Sequence, residues 1–215
     1  MFRVQLLKDA SEEQINSAVE IFCICMKNDI ATICLAGGDV ALVAPMIRSL
    51  LRAGREFGEF YVATDEKENI IGFALYAPPG QAAYSTEEQR AMGFNDFWAQ
   101  VSDVGKEYYK THLNGEWKEY VNETLQSPTA IRDTYWLSML MVHPSHRRQG
   151  VARALIQPVR EIVAMTGARF TLHTADARNV VKYQGLGFEL LKERTFWSPW
   201  GDWPAYIFVL PRHRA

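Results

Sequence analysis

Apolar positions along this chain change their spacing several times, and each change predicts an element. Phe2–Leu7 is a short apolar run that predicts a strand. Ser11-x-x-Gln14 forms a capping box, and Ile15, Val19, Phe22, Cys23 and Met26 then recur at the spacing that turns one helical face to the core. A second helix is predicted from near Pro45 to Arg55. Pro45 suits a first turn, whereas a start at Asp39 would put it inside the helix at a cost of about 3 kcal/mol. Phe60–Thr64 and Ile70–Ala77 read as strands, joined into a hairpin by the polar segment 65–69 and ended by Pro78-Pro79-Gly80.

From Gln81 to Asp133 the pattern turns helical and polar. Ser85-x-x-Glu88 offers another capping box. Phe94, Phe97, Trp98 and Val101 make one aromatic stripe, and Trp117, Tyr120, Val121 and Leu125 another. Such stripes are packing faces first, on an inserted lid or a helical subdomain. Tyr135–Val142 is almost continuously apolar, as in a central strand buried on both faces. The polar loop 143–149 leads to a helix from Gly150 to about Thr166, with a kink or short break expected at Pro158. Phe170–Thr174 is the next strand. Strand, helix, strand predicts a parallel βαβ unit with a right-handed crossover. Ala205–Leu210 reads as a final strand.

Composition narrows the picture further. The 215 residues are 48% hydrophobic and 22% charged, which excludes a disordered or fibrous chain. With 23 basic against 25 acidic residues the net charge is −2, so no global field attracts nucleic acid or an anionic membrane. Cys23, Cys25 and Cys34 form no CxxC pair and read as reduced, buried thiols, not as a metal site. The apolar run within Met1–Glu13 is too brief for a signal segment, and Ile30–Ile47 is broken by Gly37-Gly38-Asp39 and Pro45. A soluble, cytoplasmic protein is therefore expected.

Chemistry concentrates between Val142 and Arg160. Four arginines and no carboxylate occur there, in a chain that is net acidic. Free amides at a helix start, the positive end of its dipole, and Gly150 allowing close approach would together cradle a phosphate or pyrophosphate. A solvated basic loop is the alternative. Neither a P-loop nor a GxGxxG pattern fits the stretch.

Arg147-x-x-Gly150-x-Ala152, following a buried strand that ends in Val-x-Pro, resembles the Q/R-x-x-G-x-G/A signature of the GCN5-related N-acetyltransferases (GNAT). Asn179-x-x-x-Tyr183-x-x-x-Gly187-Phe188 resembles that superfamily's second landmark. The resemblance implies a single α/β domain with a mixed, splayed central sheet flanked by helices and a helical insertion at about 81–133. It also implies acetyl-CoA as co-substrate and no metal. Main-chain groups of Leu140, Met141 and Val142 would pair with the pantetheine arm. Backbone amides of Arg147, Arg148, Gln149, Gly150, Val151 and Ala152 would hold the pyrophosphate, and Arg147, Arg148 or Arg153 would add a charged bond. Asn179 would touch the cofactor arm, and Tyr183 would protonate the departing thiolate; its other reading is a buried aromatic. The Pro-Pro-Gly and the late tryptophans resemble uncharacterised fungal-type members.

An ammonium acceptor must lose a proton before it attacks a thioester, at a cost of about 4–5 kcal/mol from a lysine-like pKa. Where many relatives place a Glu base on the strand before the Asn, this sequence has His173. It is a competent base by type, or else a structural hydrogen-bond partner, with Asp176 in reserve. His143 and His146 read as loop residues. Trp197, Trp200 and Trp203 would pack the sheet or wall an acceptor pocket that favours a cation or an aromatic amine. The implied activity is N-acetylation of a small-molecule amine, with no nucleic-acid or membrane partner and with homodimer formation open. A non-catalytic acyl-CoA-binding module, a protein N-acetyltransferase and an α/β interaction protein are the competing readings.

Overall fold

The computed structural model describes residues 1–211. Strand β1 (Phe2–Leu7) leads to α1 (Glu12–Cys25), whose Ser11–Gln14 capping box forms in both directions. A short helix, α2 (Ile30–Leu35), follows, which the sequence reading missed. Asp39 caps a 3₁₀ turn, Val40–Leu42, that runs straight into α3 (Val43–Phe57). Pro45 thus keeps its place in a first turn although the cap lies six residues upstream, because the tighter turn intervenes. The hairpin is β2 (Glu59–Asp65) and β3 (Ile70–Ala77), paired antiparallel.

The 81–133 segment holds α4 (Glu87–Ala91), α5 (Phe94–Gln100), α6 (Asp103–Tyr108), a π-helical stretch at Tyr109–Trp117, and α7 (Lys118–Leu125). The cap of α4 is Thr86, not Ser85: its side chain accepts from the Gln89 amide, and the Ser85 amide donates to the Gln89 side chain. The two aromatic stripes pack as their spacing implied. Phe97, Val101, Tyr120, Val121 and Leu125 are all buried.

Then come β4 (Thr134–Val142), α8 (Val151–Thr166), β5 (Arg169–Thr174), α9 (Val180–Gly185), β6 (Glu189–Phe196) and β7 (Trp203–Leu210). Helix α8 continues through Pro158 without the expected break. Strand β6 was not foreseen, because its side chains are exposed along most of its length and leave no alternation to read.

The mixed sheet has seven strands in the order β1-β2-β3-β4-β5-β7-β6, and only β4 and β5 are parallel. One face packs on α1, α3 and the 81–133 segment. The other packs on α8, through Val151, Leu155, Ile156, Val159 and Val163. The fold is the α/β arrangement, a mixed central sheet flanked by helices, that the motifs implied.

Candidate active site

Strands β4 and β5 part halfway along. They pair only over Thr134–Leu137 and Arg169–Leu172. On its other side β4 stays paired with β3 to its end, Val142 opposite Gly72, with a register shift that leaves Ser138 unpaired. The bulge sits where the parallel pairing stops, as expected of a device that bends one strand away from its neighbour. The divergence also corrects the expectation that β4 is buried on both faces. Thr134–Leu137 are buried, whereas Leu140, Met141 and Val142 are only partly covered. Their edge toward β5 has no strand partner, so main-chain groups line an open notch.

At the mouth of the notch the chain passes through a 3₁₀ turn, Pro144–His146, into α8. His143 and His146 belong to this turn, where the Ser145 hydroxyl lies 2.6 Å from Nδ1 of His143 and 2.9 Å from Nδ1 of His146. The Arg147 amide closes the turn on the Pro144 carbonyl, at 3.4 Å. Beyond it the amides of Arg148, Gln149 and Gly150 have no hydrogen-bond partner among the described residues. The first bond of α8 runs from the Ala154 amide to the Gly150 carbonyl, so those of Val151, Ala152 and Arg153 are free as well. The free run is therefore displaced one residue from the expected one, because Arg147 is used in the turn.

Arg148 and Gly150 take the left-handed conformation, with φ of 60° and 84°. Alternation of this kind turns successive amides toward one side, the concave anion-binding nest. A Cβ on Gly150 would meet nothing within 4 Å, so the space above the cradle is open. Gly72 is packed differently: a Cβ there would lie 2.9 Å from the Met141 carbonyl, so its missing side chain lets β3 lie against β4. These features fit a thioester carrier with an extended amide arm and a diphosphate.

The arginines divide their labour. Arg147 reaches across to Cys25, its Nη2 3.6 Å from the sulfur, and the Cys25 thiol donates to the Val142 carbonyl. Arg148 is exposed, and Gln149 donates to the Ser145 carbonyl at 3.2 Å. Arg153 donates to the Gly185 carbonyl and Arg160 to that of Leu186, tying α8 to the turn after α9. Asn179 spends its amide locally, donating to Thr174 at 3.1 Å and accepting from Lys182 at 2.8 Å. Asp176 is engaged with Arg178, whose hydrogen bond and charge hold its carboxyl below the usual carboxylate range. That pairing suits a capping role better than a basic one.

His173 and Tyr183 stand on opposite faces of the sheet at the point of divergence. His173, the first residue of β5 past its pairing with β4, lies between Trp117 and Trp136, at centroid distances of 4.8 and 5.6 Å. Its Nδ1 is buried without a hydrogen-bond partner, and burial pushes its pKa down to about 4. Tyr183 packs on Phe188 and on Phe208, the cross-strand partner of Leu172. Burial raises its hydroxyl to about 12, so it stays protonated at neutral pH.

The late tryptophans behave mainly as packing. Trp203 is buried and donates to the Tyr108 hydroxyl at 2.9 Å, and Trp200 packs edge-on to Tyr108. Trp197 remains 57% exposed beside His112. No local pattern marks Trp117 as the cover of His173, since the two lie on unconnected elements. Among the described residues no group of three or more His, Cys, Asp or Glu could hold a metal, and no helix is long and apolar enough to cross a membrane.

Residues 114–190 match the family model of the acetyltransferase (GNAT) domain. No curated protein matches the sequence. Solved structures share the fold at low identity. A Corynebacterium glutamicum protein described as histone acetyltransferase HPA2 and related acetyltransferase is 17% identical, with a TM-score of 0.58 over 100% of this chain and 98% of its own. The ribosomal-protein-S18-alanine N-acetyltransferase of Escherichia coli is 16% identical, with a TM-score of 0.51 over 100% and 96%. A GNAT-family protein from Desulfovibrio desulfuricans is 14% identical, with a TM-score of 0.54 over 98% of both chains. All three are bacterial, and the fungal-type resemblance is not borne out.

Proposed function

We propose that this chain, which carries a GNAT acetyltransferase domain and the fold of that family, transfers the acetyl group of acetyl-CoA to a primary amine of a small molecule. The observation that carries the reading is the junction of a run of free amides with a strand edge that no neighbouring strand covers. The free amides from Arg148 to Arg153 follow, after one 3₁₀ turn, the edge of β4 at Leu140–Val142 that lacks a strand partner and on which Cys25 takes the Val142 carbonyl. One suits a diphosphate and the other an amide-bearing arm, and together they fit the donor.

Transfer is read as direct attack in a ternary complex. Main-chain amides at the notch supply hydrogen bonds to the oxyanion of the tetrahedral intermediate. Tyr183 gives its proton to the leaving thiolate, and its raised pKa keeps that proton in place at neutral pH. His173 takes a proton from the attacking nitrogen. Arg147, anchored over Cys25 at the mouth of the notch, meets the phosphates with a charged bond.

One observation favours a second reading. His173 stands where a carboxylate base would be expected, and its depressed pKa makes it a weak base. A module that binds acyl-CoA without turnover would keep the cradle and lose the chemistry. Calorimetry with CoA, followed by thiol release over an amine panel, separates the two. Heat with amine-dependent turnover supports the transferase, heat alone supports the binding module, and no heat at millimolar CoA removes both.

A further inference from the structure

Among the described residues, the buried side-chain nitrogens and oxygens without a hydrogen-bond partner are two, Nδ1 of His112 and Nδ1 of His173. His112 has a carboxylate close by, Glu116, at 3.2 Å. His173 has nothing comparable. Trp117 from the π-helical stretch and Trp136 from β4 pack on its ring, Ile207 of β7 is its cross-strand partner, and no charged group contributes to its pKa. Glu116, adjacent to Trp117 in the chain, is turned to His112 and to Arg194, whose guanidinium lies 3.7 Å away. A buried polar atom costs free energy unless something satisfies it, so an orphan at the base of a notch marks a place for a ligand's hydrogen.

We infer that the acceptor read at this notch is an arylamine, or another amine uncharged at neutral pH, whose ring lies against the partly exposed Trp117 while its N–H points at His173. The inference rests on the acetyl-transfer reading above and narrows its substrate. An alkylammonium entering this place would be stripped of water beside two indoles and a neutral imidazole, with no carboxylate to compensate. Desolvation is the cause of the depressed pKa of His173, and no charged neighbour contributes to it. An arylamine spreads its lone pair into its ring and arrives as the free base. Its nitrogen forms the C–N bond to the acetyl carbon and the C–S bond breaks. One nitrogen proton passes to His173 and on to solvent, and the thiolate leaves as thiol with the Tyr183 proton, which solvent replaces.

A matched pair of acceptors tests the assignment, 4-methylaniline and 4-methylbenzylamine, which differ by one methylene and by charge. Thiol release is followed from pH 6 to 9, and CoA binding is measured by calorimetry. At pH 7 the expected kcat/KM for the aniline exceeds that of the benzylamine by about tenfold or more, since only about one in 10³ of a lysine-like amine is uncharged there. The aniline profile should be flat, and the benzylamine rate should rise about tenfold per pH unit until its ammonium titrates. Trp117→Ala should raise KM for the aniline about tenfold without weakening CoA, and Trp117→Phe should restore it. A preference for the benzylamine with a flat profile below pH 8 overturns this inference alone. CoA binding without transfer to either amine overturns the transferase reading along with it.

Discussion

The thiol of Cys25, at the end of α1, donates a hydrogen bond to the main-chain carbonyl of Val142, 3.3 Å away at the end of β4. Arg147 leans on the same sulfur. The half-buried thiol therefore stands beside both the strand edge and the arginine assigned to the donor. Alkylation of Cys25 by N-ethylmaleimide should weaken CoA binding by about tenfold or more, and bound CoA should slow the labelling. Fully buried Cys34, which donates to Ser198, should not react in the folded protein. Peptide mass mapping with and without CoA reads both, and identical labelling of Cys25 in the two samples would remove it from the site.

Tyr183→Phe keeps the ring that packs on Phe188 and Phe208 and removes only the hydroxyl. Turnover should fall by about 10² or more, the usual range for a general acid, while the Kd for CoA changes less than about twofold. Because the hydroxyl titrates at about 12, wild-type activity should show no basic limb from this group below pH 10. Unchanged turnover in the variant would return Tyr183 to a packing role.

The pKa of His173, lowered from 6.5 to about 4, makes folding pH-dependent. Between those values the unfolded chain takes up a proton that the folded protein refuses, so stability falls as pH drops from 6.5 toward 4. The full interval corresponds to at most about 3 kcal/mol, and the partial exposure of the ring reduces it. His173→Phe should be less acid-sensitive over this window, as urea titrations at pH 7, 5.5 and 4.5 would show. A constant stability difference between the two proteins across those pH values would contradict the placement.

Two left-handed glycines should respond differently to the same substitution. At Gly38, with φ of 88°, a Cβ would fall 2.0 Å from the Trp200 indole, so Gly38→Ala should cost about 2–4 kcal/mol and disturb the aromatic wall. At Gly150 the space is open, so Gly150→Ala should cost only the strain of its backbone, about 1–2 kcal/mol, and should weaken CoA more than it weakens the fold. Thermal melts and calorimetry on both variants check the order.

Local chemistry made much of this legible. The Ser11 cap, the β2–β3 hairpin and the β4–α8–β5 crossover could be read because each is written in contiguous residues with a strong period. Strand β6 escaped because its side chains are mostly exposed and it is held by backbone pairing with β7, which leaves little trace in composition. The one-residue shift of the α4 cap and the capture of the Arg147 amide by Pro144 lie below what spacing resolves. The meeting of Trp117 with His173 joins elements that only the fold brings together, so no local pattern announces it.

Arg153 and Arg160 rivet the cradle helix to the carbonyls of Gly185 and Leu186, just beyond Tyr183. A chassis braced in this way sets one fixed span between the nest and that hydroxyl, which a carrier bound there would have to match. The opposite side of the sheet is walled by residues from 94–125 and shares none of those struts. Its contour can therefore drift by mutation, trading one nucleophile for another, while the gauge for the donor stays put.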